Sequence, residues 1–289
     1  TDVYATSDID SKTVSVKVTS EALKTGDKIS VRLIDGSKVV AEAEGTEVTL
    51  PVADMKLWSP DSPFLYKLSA SIERVGKVID AVDGYTACRK ISVKRDSKNI
   101  NGYKRIALNN EVMFQMGPLD QGWWPDGLYT APCDEALRFD IEKTKEMGFN
   151  MIRKHIKVEP DRWYYHCDRE GILVWQDMPS GDYGNQWDPW AFNGGTDRNR
   201  TQQSSDNYYK EWKDIIDQCG QHPCVVVWVP VNEGWGQFET EKVAAWTKSY
   251  DPTRLVNAAS GGNHTDFGDI LDIHNYPQPS MFLNHPNKA

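Results

Sequence analysis

The chain has little that would make it a disulfide-stapled or metal-clustered protein. Its five cysteines (Cys88, Cys133, Cys167, Cys219, Cys224) are odd in number and contain no CxxC pair, which argues against a disulfide framework and a thiolate knuckle. Cys167 and Cys219 fall on apolar faces of segments with helical spacing, where free thiols are usually buried. The six histidines are scattered, no His-Glu-x-x-His spacing occurs, and His264 with Asp266 and Asp269 reads as a polar loop. No Gly-x-Ser-x-Gly elbow and no glycine-rich phosphate loop is present. Neither a metal nor another cofactor is called for.

No apolar stretch approaches the roughly 20 residues a membrane helix needs. Residues 1–20 lack both a basic start and an apolar core. The sequence therefore holds no export address, and a periplasmic or secreted location stays open. No run of five or more basic residues offsets the net charge of −9. That excess of negative charge disfavours nucleic acid and anionic membranes as partners.

What is present is enough apolar residue for two cores, 39% of 289 residues. Up to residue 95, apolar side chains recur at every second position: Val14, Val16, Val18; Ile29, Val31, Leu33; Val48, Leu50, Val52; Tyr66, Leu68, Ala70, Ile72. This period predicts half-buried strands, and the Gly, Asp and Ser turns between them fit an immunoglobulin-like β-sandwich of about seven strands over residues 1–95. The two prolines of Trp58-Ser59-Pro60-Asp61-Ser62-Pro63 place that stretch in a loop.

After Asn101-Gly102 the period changes. Short apolar runs at Val112–Met116, Phe149–Arg153, Ile172–Gln176, Val225–Trp228, Leu255–Ala258 and Ile270–His274 read as six strands. Between them lie helical segments: one capped by Asp134 and ended by Gly148, one with Pro160 in its first turn and Gly171 at its end, one carrying Tyr208, Trp212, Ile216 and Cys219, and one carrying Val243, Trp246 and Tyr250. Repeated strand–helix units build either a doubly wound sheet or a (β/α)₈ TIM barrel. Polar residues stand just past the apolar runs (Arg153, Asp177, Asn232-Glu233, His274), where barrel enzymes carry their chemistry. The expectation for residues 101–289 is a catalytic TIM-barrel domain.

Glu233, after a buried strand and beside Asn232, Trp228 and Trp235, has the setting of a general acid. A hydrogen-bond donor and apolar walls suit a carboxyl that must deliver a proton, although a glutamate after a strand is often only structural. The string Gln221-His222-Pro223-Cys224-Val225-Val226-Val227-Trp228-Val229-Pro230-Val231-Asn232-Glu233 resembles the acid/base motif of glycoside hydrolase family 2, which includes β-galactosidases, β-mannosidases and β-glucuronidases. Three further stretches agree in order: Leu57–Tyr66, Met147–Arg153 and Cys167–Asp177.

The resemblance implies a retaining hydrolase of terminal β-linked sugars with Glu233 as general acid/base and a glycoside or oligosaccharide as its partner. By the same resemblance Arg153 and Asn232 hold carboxylates and a sugar hydroxyl, and Asp177 and His274 line the pocket. Asp120, Trp123 and Trp124 floor it and Trp235 flanks it. The structural alternatives are a salt bridge for Arg153, a helix cap for Asp177, an interior histidine for His274 and core packing for the tryptophans.

Some features depart from the family pattern. Arg153-Lys154-His155 brings a histidine one place closer to the arginine than in many members, so His155 is not carried over. Asp177 stands where β-galactosidases usually have Glu, and Asp272-Ile273-His274-Asn275-Tyr276 leans with it toward β-mannosidase-like members. The activity expected is β-galactosidase-like, with β-mannosidase, β-glucuronidase or a non-catalytic carbohydrate-binding relative as alternatives. The family's nucleophile, a glutamate at the end of strand seven, would lie past Ala289, and its amino-terminal sugar-binding sandwich before Thr1. A fragment ending after about six strands is expected to be inactive and to expose strand edges through which copies associate as a homo-oligomer.

Overall fold

The computed structural model describes residues 1–98, 102–184, 186–188, 190–191, 197–276, 278 and 288–289; the expected domain start at Asn101 lies outside them. The chain divides into two compact units, Thr1–Lys90 with Gln221–Pro223, and Ile91–Gly220 with Cys224–Ala289.

In the first unit, β1 (Asp2–Asp8), β2 (Thr13–Thr19), β3 (Lys28–Asp35), β4 (Lys38–Glu44), β5 (Glu47–Pro51), β6 (Tyr66–Arg74) and β7 (Lys77–Thr86) form two antiparallel sheets, ordered β1-β2-β5 and β4-β3-β6-β7. Successive side chains on a strand point to opposite faces. The alternating residues of β2, β3 and β6 are therefore buried together, in one core with Leu50, Val52 and Cys88. The two-proline stretch is a tight turn in which Ser59 and Ser62 exchange backbone hydrogen bonds, anchored by the Trp58 N–H on the Cys88 carbonyl at 2.8 Å.

The second unit begins with β8 (Ile91–Arg95), so these five residues do not belong to the sandwich expected over residues 1–95. Strand β8 pairs antiparallel with β9 (Lys104–Leu108), and β9 with β10 (Glu111–Val112). Asn109 and Asn110 both adopt positive φ, 52° and 68°, the conformation of a tight hairpin turn. That turn takes Val112 into a hairpin, so the run Val112–Met116 is not the first parallel strand. The first is the short β11 (Leu119–Asp120), followed by β12 (Met151–Lys154), β13 (Leu173–Asp177), β14 (Val225–Val229) and β15 (Leu255–Val256), parallel and neighbouring in that order.

Helices α1 (Asp134–Glu146), α2 (Asp161–Glu170), α3 (Gln202–Cys219) and α4 (Thr240–Tyr250) alternate with these strands. Asp134 is the first helical residue rather than the cap, which is Cys133; its carboxylate is taken by Arg162 and His166. Pro160 likewise sits at the cap position of α2, and Gly171 closes that helix at φ 78°.

The register shows which face the helices cover. Lys154, Gln176, Trp228 and Val256 are paired across four strands. They meet Trp163 and Tyr164 of α2, Trp212 of α3 and Ala244 of α4. Consecutive crossovers packing on one face are the habit of a (β/α)₈ barrel; a doubly wound sheet uses both. Arg153 and Asp177 alternate with that row and point to the other face. Among the described residues the expected sixth strand, Ile270–His274, forms no ladder. It makes single backbone bonds (Leu271 N–H to Ala289 O, His274 N–H to Gly261 O), and the Asp272 carboxylate accepts from Asn257, Ser260 and the Gly261 N–H.

Candidate active site

Five of the residues singled out from the sequence meet: Arg153, Asp177, Asn232 and Glu233 at or just past the carboxyl ends of β12, β13 and β14, and His274 beside them. Arg153, only 8% exposed, forks onto Asp177, Nε donating to Oδ1 at 3.0 Å and Nη2 to Oδ2 at 2.9 Å. Its Nη2 also donates to Asn232 Oδ1 at 2.8 Å. Its Nη1 stands 3.2 Å from Nε2 of His274. A guanidinium can only donate, so this contact leaves Nε2 as the acceptor and the proton on Nδ1. Nδ1 in turn lies 3.0 Å from Glu233 Oε2, a close approach without hydrogen-bond geometry, and among the described residues neither atom has a hydrogen-bond partner. Glu233 keeps 19% of its side chain exposed, so it is part-buried yet reachable.

Burial pushes the Asp177 carboxyl above the ordinary aspartate range, and Arg153 pulls against it. For Arg153 burial works against the charge, but Asp177 first, then Asp272 and Glu233, outweigh it. We take the pair as ionised, since a bidentate fork satisfies both partners. Gly261 makes room for His274: at φ +90°, a Cβ there would fall 2.3 Å from the imidazole.

The other expected residues lie elsewhere. Asp120 pairs in register with Lys154, not with Arg153, and its carboxylate accepts from Lys154 Nζ at 2.6 Å and from the Gly122 N–H at 2.7 Å. Lys154, Lys157 and Glu159 form a buried ion network with it. Trp123 is exposed and packs edge-to-face on Tyr129 at 4.5 Å, while Trp124 exchanges backbone bonds with Leu128. Trp235 is 60% exposed two residues after Glu233, and its carbonyl accepts from Ser180 Oγ at 2.6 Å. His155, set aside in the sequence, lies in the fields of Asp177, Arg153, Glu233 and His274, with burial first in lowering its pKa. Its Nδ1 meets Gln121 at 2.9 Å, and among the described residues its Nε2 has no hydrogen-bond partner. The signal was the alternation itself, since residues 153 and 155 share a face. Among the described residues no group of three or more His, Cys, Asp and Glu is arranged to hold a metal ion, and no helix is long and apolar enough to cross a membrane.

Two family models lie along the chain: "Glycosyl hydrolases family 2" over residues 1–89 and "Glycosyl hydrolases family 2, TIM barrel domain" over residues 132–283. A putative beta-glucuronidase of Formosa agariphila is 29% identical over 86% of this chain and 22% of its own length. A beta-galactosidase of Lactococcus lactis is 25% identical over 84% of the chain and 23% of its own. This chain thus spans about a quarter of the length of the curated relatives it matches. Among solved structures, a beta-D-glucuronidase of Dictyoglomus thermophilum superposes with a TM-score of 0.75 at 19% identity, covering 93% of this chain and 46% of that one, a likeness of fold. With its sandwich and its strand–helix unit both matched, the chain belongs to glycoside hydrolase family 2.

Proposed function

We propose that this chain carries the acid/base half of a retaining β-glycosidase active site, with Glu233 as the general acid/base. In the first step its carboxyl protonates the leaving glycosidic oxygen; in the second the carboxylate takes a proton from the attacking water. Asn232, held by Arg153, offers its amide to a sugar hydroxyl, and Asp177 keeps Arg153 fixed. The observation that carries the reading is the gathering of Glu233, 3.0 Å from His274, with His274 beside Arg153 and Arg153 bonded to Asp177 and Asn232. The β-galactosidase-like specificity expected from the sequence has an equal competitor in β-glucuronide cleavage, which the names of the Formosa and Dictyoglomus proteins favour.

The intact enzyme should be assayed on nitrophenyl β-galactoside and β-glucuronide, wild type beside Glu233→Gln. A good leaving group needs little protonation. The variant should therefore lose about 10²–10⁴-fold on poor leaving groups, while the first step on dinitrophenyl glycosides survives. Equal losses on both would remove Glu233 from the acid role. The faster of the two sugars names the specificity.

A further inference from the structure

Arg200, just before α3 and with 4% of its side chain exposed, joins two loops beside the Glu233 group. Its Nη2 donates to the carbonyls of Ser180 (2.7 Å), Gly181 (3.3 Å) and Gly236 (2.6 Å), and its Nε donates to the Gly236 carbonyl at 3.0 Å. Nη1 reaches Ser204 Oγ at 3.4 Å, and the guanidinium lies 4.3 Å over Phe238 and 5.1 Å over Tyr208. The Asp182 carboxylate is 4.0 Å away. This buried cation is thus directed mainly at main-chain oxygens.

Those oxygens belong to the segment that leaves β13 after Asp177 and to the turn that follows Glu233. The two run at backbone contact. The Gly236 N–H donates to Tyr183 O at 3.2 Å, Ser180 Oγ donates to Trp235 O at 2.6 Å, and a Cβ on Gly236 would lie 1.8 Å from the Gly181 oxygen. Gly234 and Gly236 have φ of 65° and 63°. Glycine enters this region freely but also leaves it freely, so the turn has no conformation of its own to hold Glu233 still. Its other side is tied by the buried amide of Gln237, which accepts from the Gly234 N–H at 3.3 Å and donates to Asn263 O at 2.9 Å.

We propose that Arg200 is a positioning residue for the acid/base: it staples the Glu233–Gly236 turn to the Ser180–Gly181 loop and so fixes where the Glu233 carboxyl points. The inference rests on the reading of Glu233 as the proton donor. Misplacing a reacting group by about 1 Å costs on the order of 10²-fold, and that loss is confined to steps that need the misplaced group.

The test is leaving-group dependence in the intact enzyme, for wild type, Arg200→Gln, Arg200→Lys, Ser180→Ala and Glu233→Gln. Arg200→Gln is expected to lower kcat/KM on nitrophenyl and alkyl glycosides about 10–10²-fold more than on dinitrophenyl glycosides. Arg200→Lys, which keeps the charge but not the planar fork, should fall between it and wild type. Ser180→Ala, which removes one hydroxyl from the same junction, should show a smaller split of the same sign; it decides the matter if Arg200→Gln does not fold by circular dichroism. Equal losses on both substrate classes, or no loss, overturn the staple. A Glu233→Gln enzyme without a split overturns the acid/base reading itself, whereas a split there with none in the Arg200 and Ser180 variants rejects the staple alone.

Discussion

Replacing Arg153 by alanine tests the centre of the site without relying on turnover. In the wild type the guanidinium donates twice to Asp177, a fully buried carboxylate that otherwise accepts from the Ile156 N–H at 3.3 Å. Breaking a buried pair by removing one partner costs about 3–5 kcal/mol, because the remaining charge is left without compensation. Replacing both by apolar residues of similar volume is often neutral. Urea unfolding at pH 7 should therefore show Arg153→Ala destabilised by about 3–5 kcal/mol and Arg153→Met/Asp177→Leu recovering part of that loss but not all, because the buried Asn232 Oδ1 loses its Arg153 donor at a cost of about 1–3 kcal/mol.

The pH dependence has a definite sign. Burial already pushes Asp177 up, and only Arg153 and its neighbours pull it down, so the variant's folded carboxyl titrates higher still. A carboxyl whose folded pKa exceeds its unfolded value binds its proton on folding. The folded state then loses ground as pH rises from the unfolded value of about 3.9 through the folded one. Arg153→Ala should thus lie closer to wild type at pH 5 than at pH 8. A gap that is independent of pH, or a double variant as unstable as the single one, would refute the uncompensated-charge argument.

Other predictions concern single side chains. For Asp251, burial pushes the carboxyl up, but Arg254, Thr253 and the Trp228 indole hold it at about 2. Asp251→Asn should therefore cost about 2 kcal/mol at neutral pH, the gap closing as pH falls from about 4 toward 2 in acid titrations of stability. Alkylation of the native protein at pH 8, read by intact mass, should label the exposed Cys133 alone. Cys88 and Cys219 are pushed up to about 12 by burial, and Cys167 and Cys224 are raised by it too, whereas urea should expose all five thiols. Gly261→Ala would drive a methyl into the His274 ring and should cut kcat of the intact enzyme about 10²-fold while also lowering thermal stability, since alanine at φ +90° is strained; an unchanged kcat would show that His274 does not hold Glu233.

The strands of the sandwich are legible in the sequence because their signal is local: Val14, Val16 and Val18, or Val31 and Leu33, alternate with polar neighbours whatever lies opposite. The same holds for the helix ended by Gly171 and for the positions of Arg153, Asp177 and Asn232-Glu233 just past apolar runs. Parity with a neighbour is not local. Only pairing of Asp120 with Lys154 turned that carboxylate to the helix-covered face, and β11, two residues long, carries too little pattern to be found in advance. Tertiary structure likewise decided that Asn109-Asn110 closes a hairpin and that, among the described residues, Ile270–His274 forms no ladder. It also placed Arg200 on three carbonyls. Main-chain oxygens are the same at every position, so a side chain that binds them leaves no partner to read in the sequence.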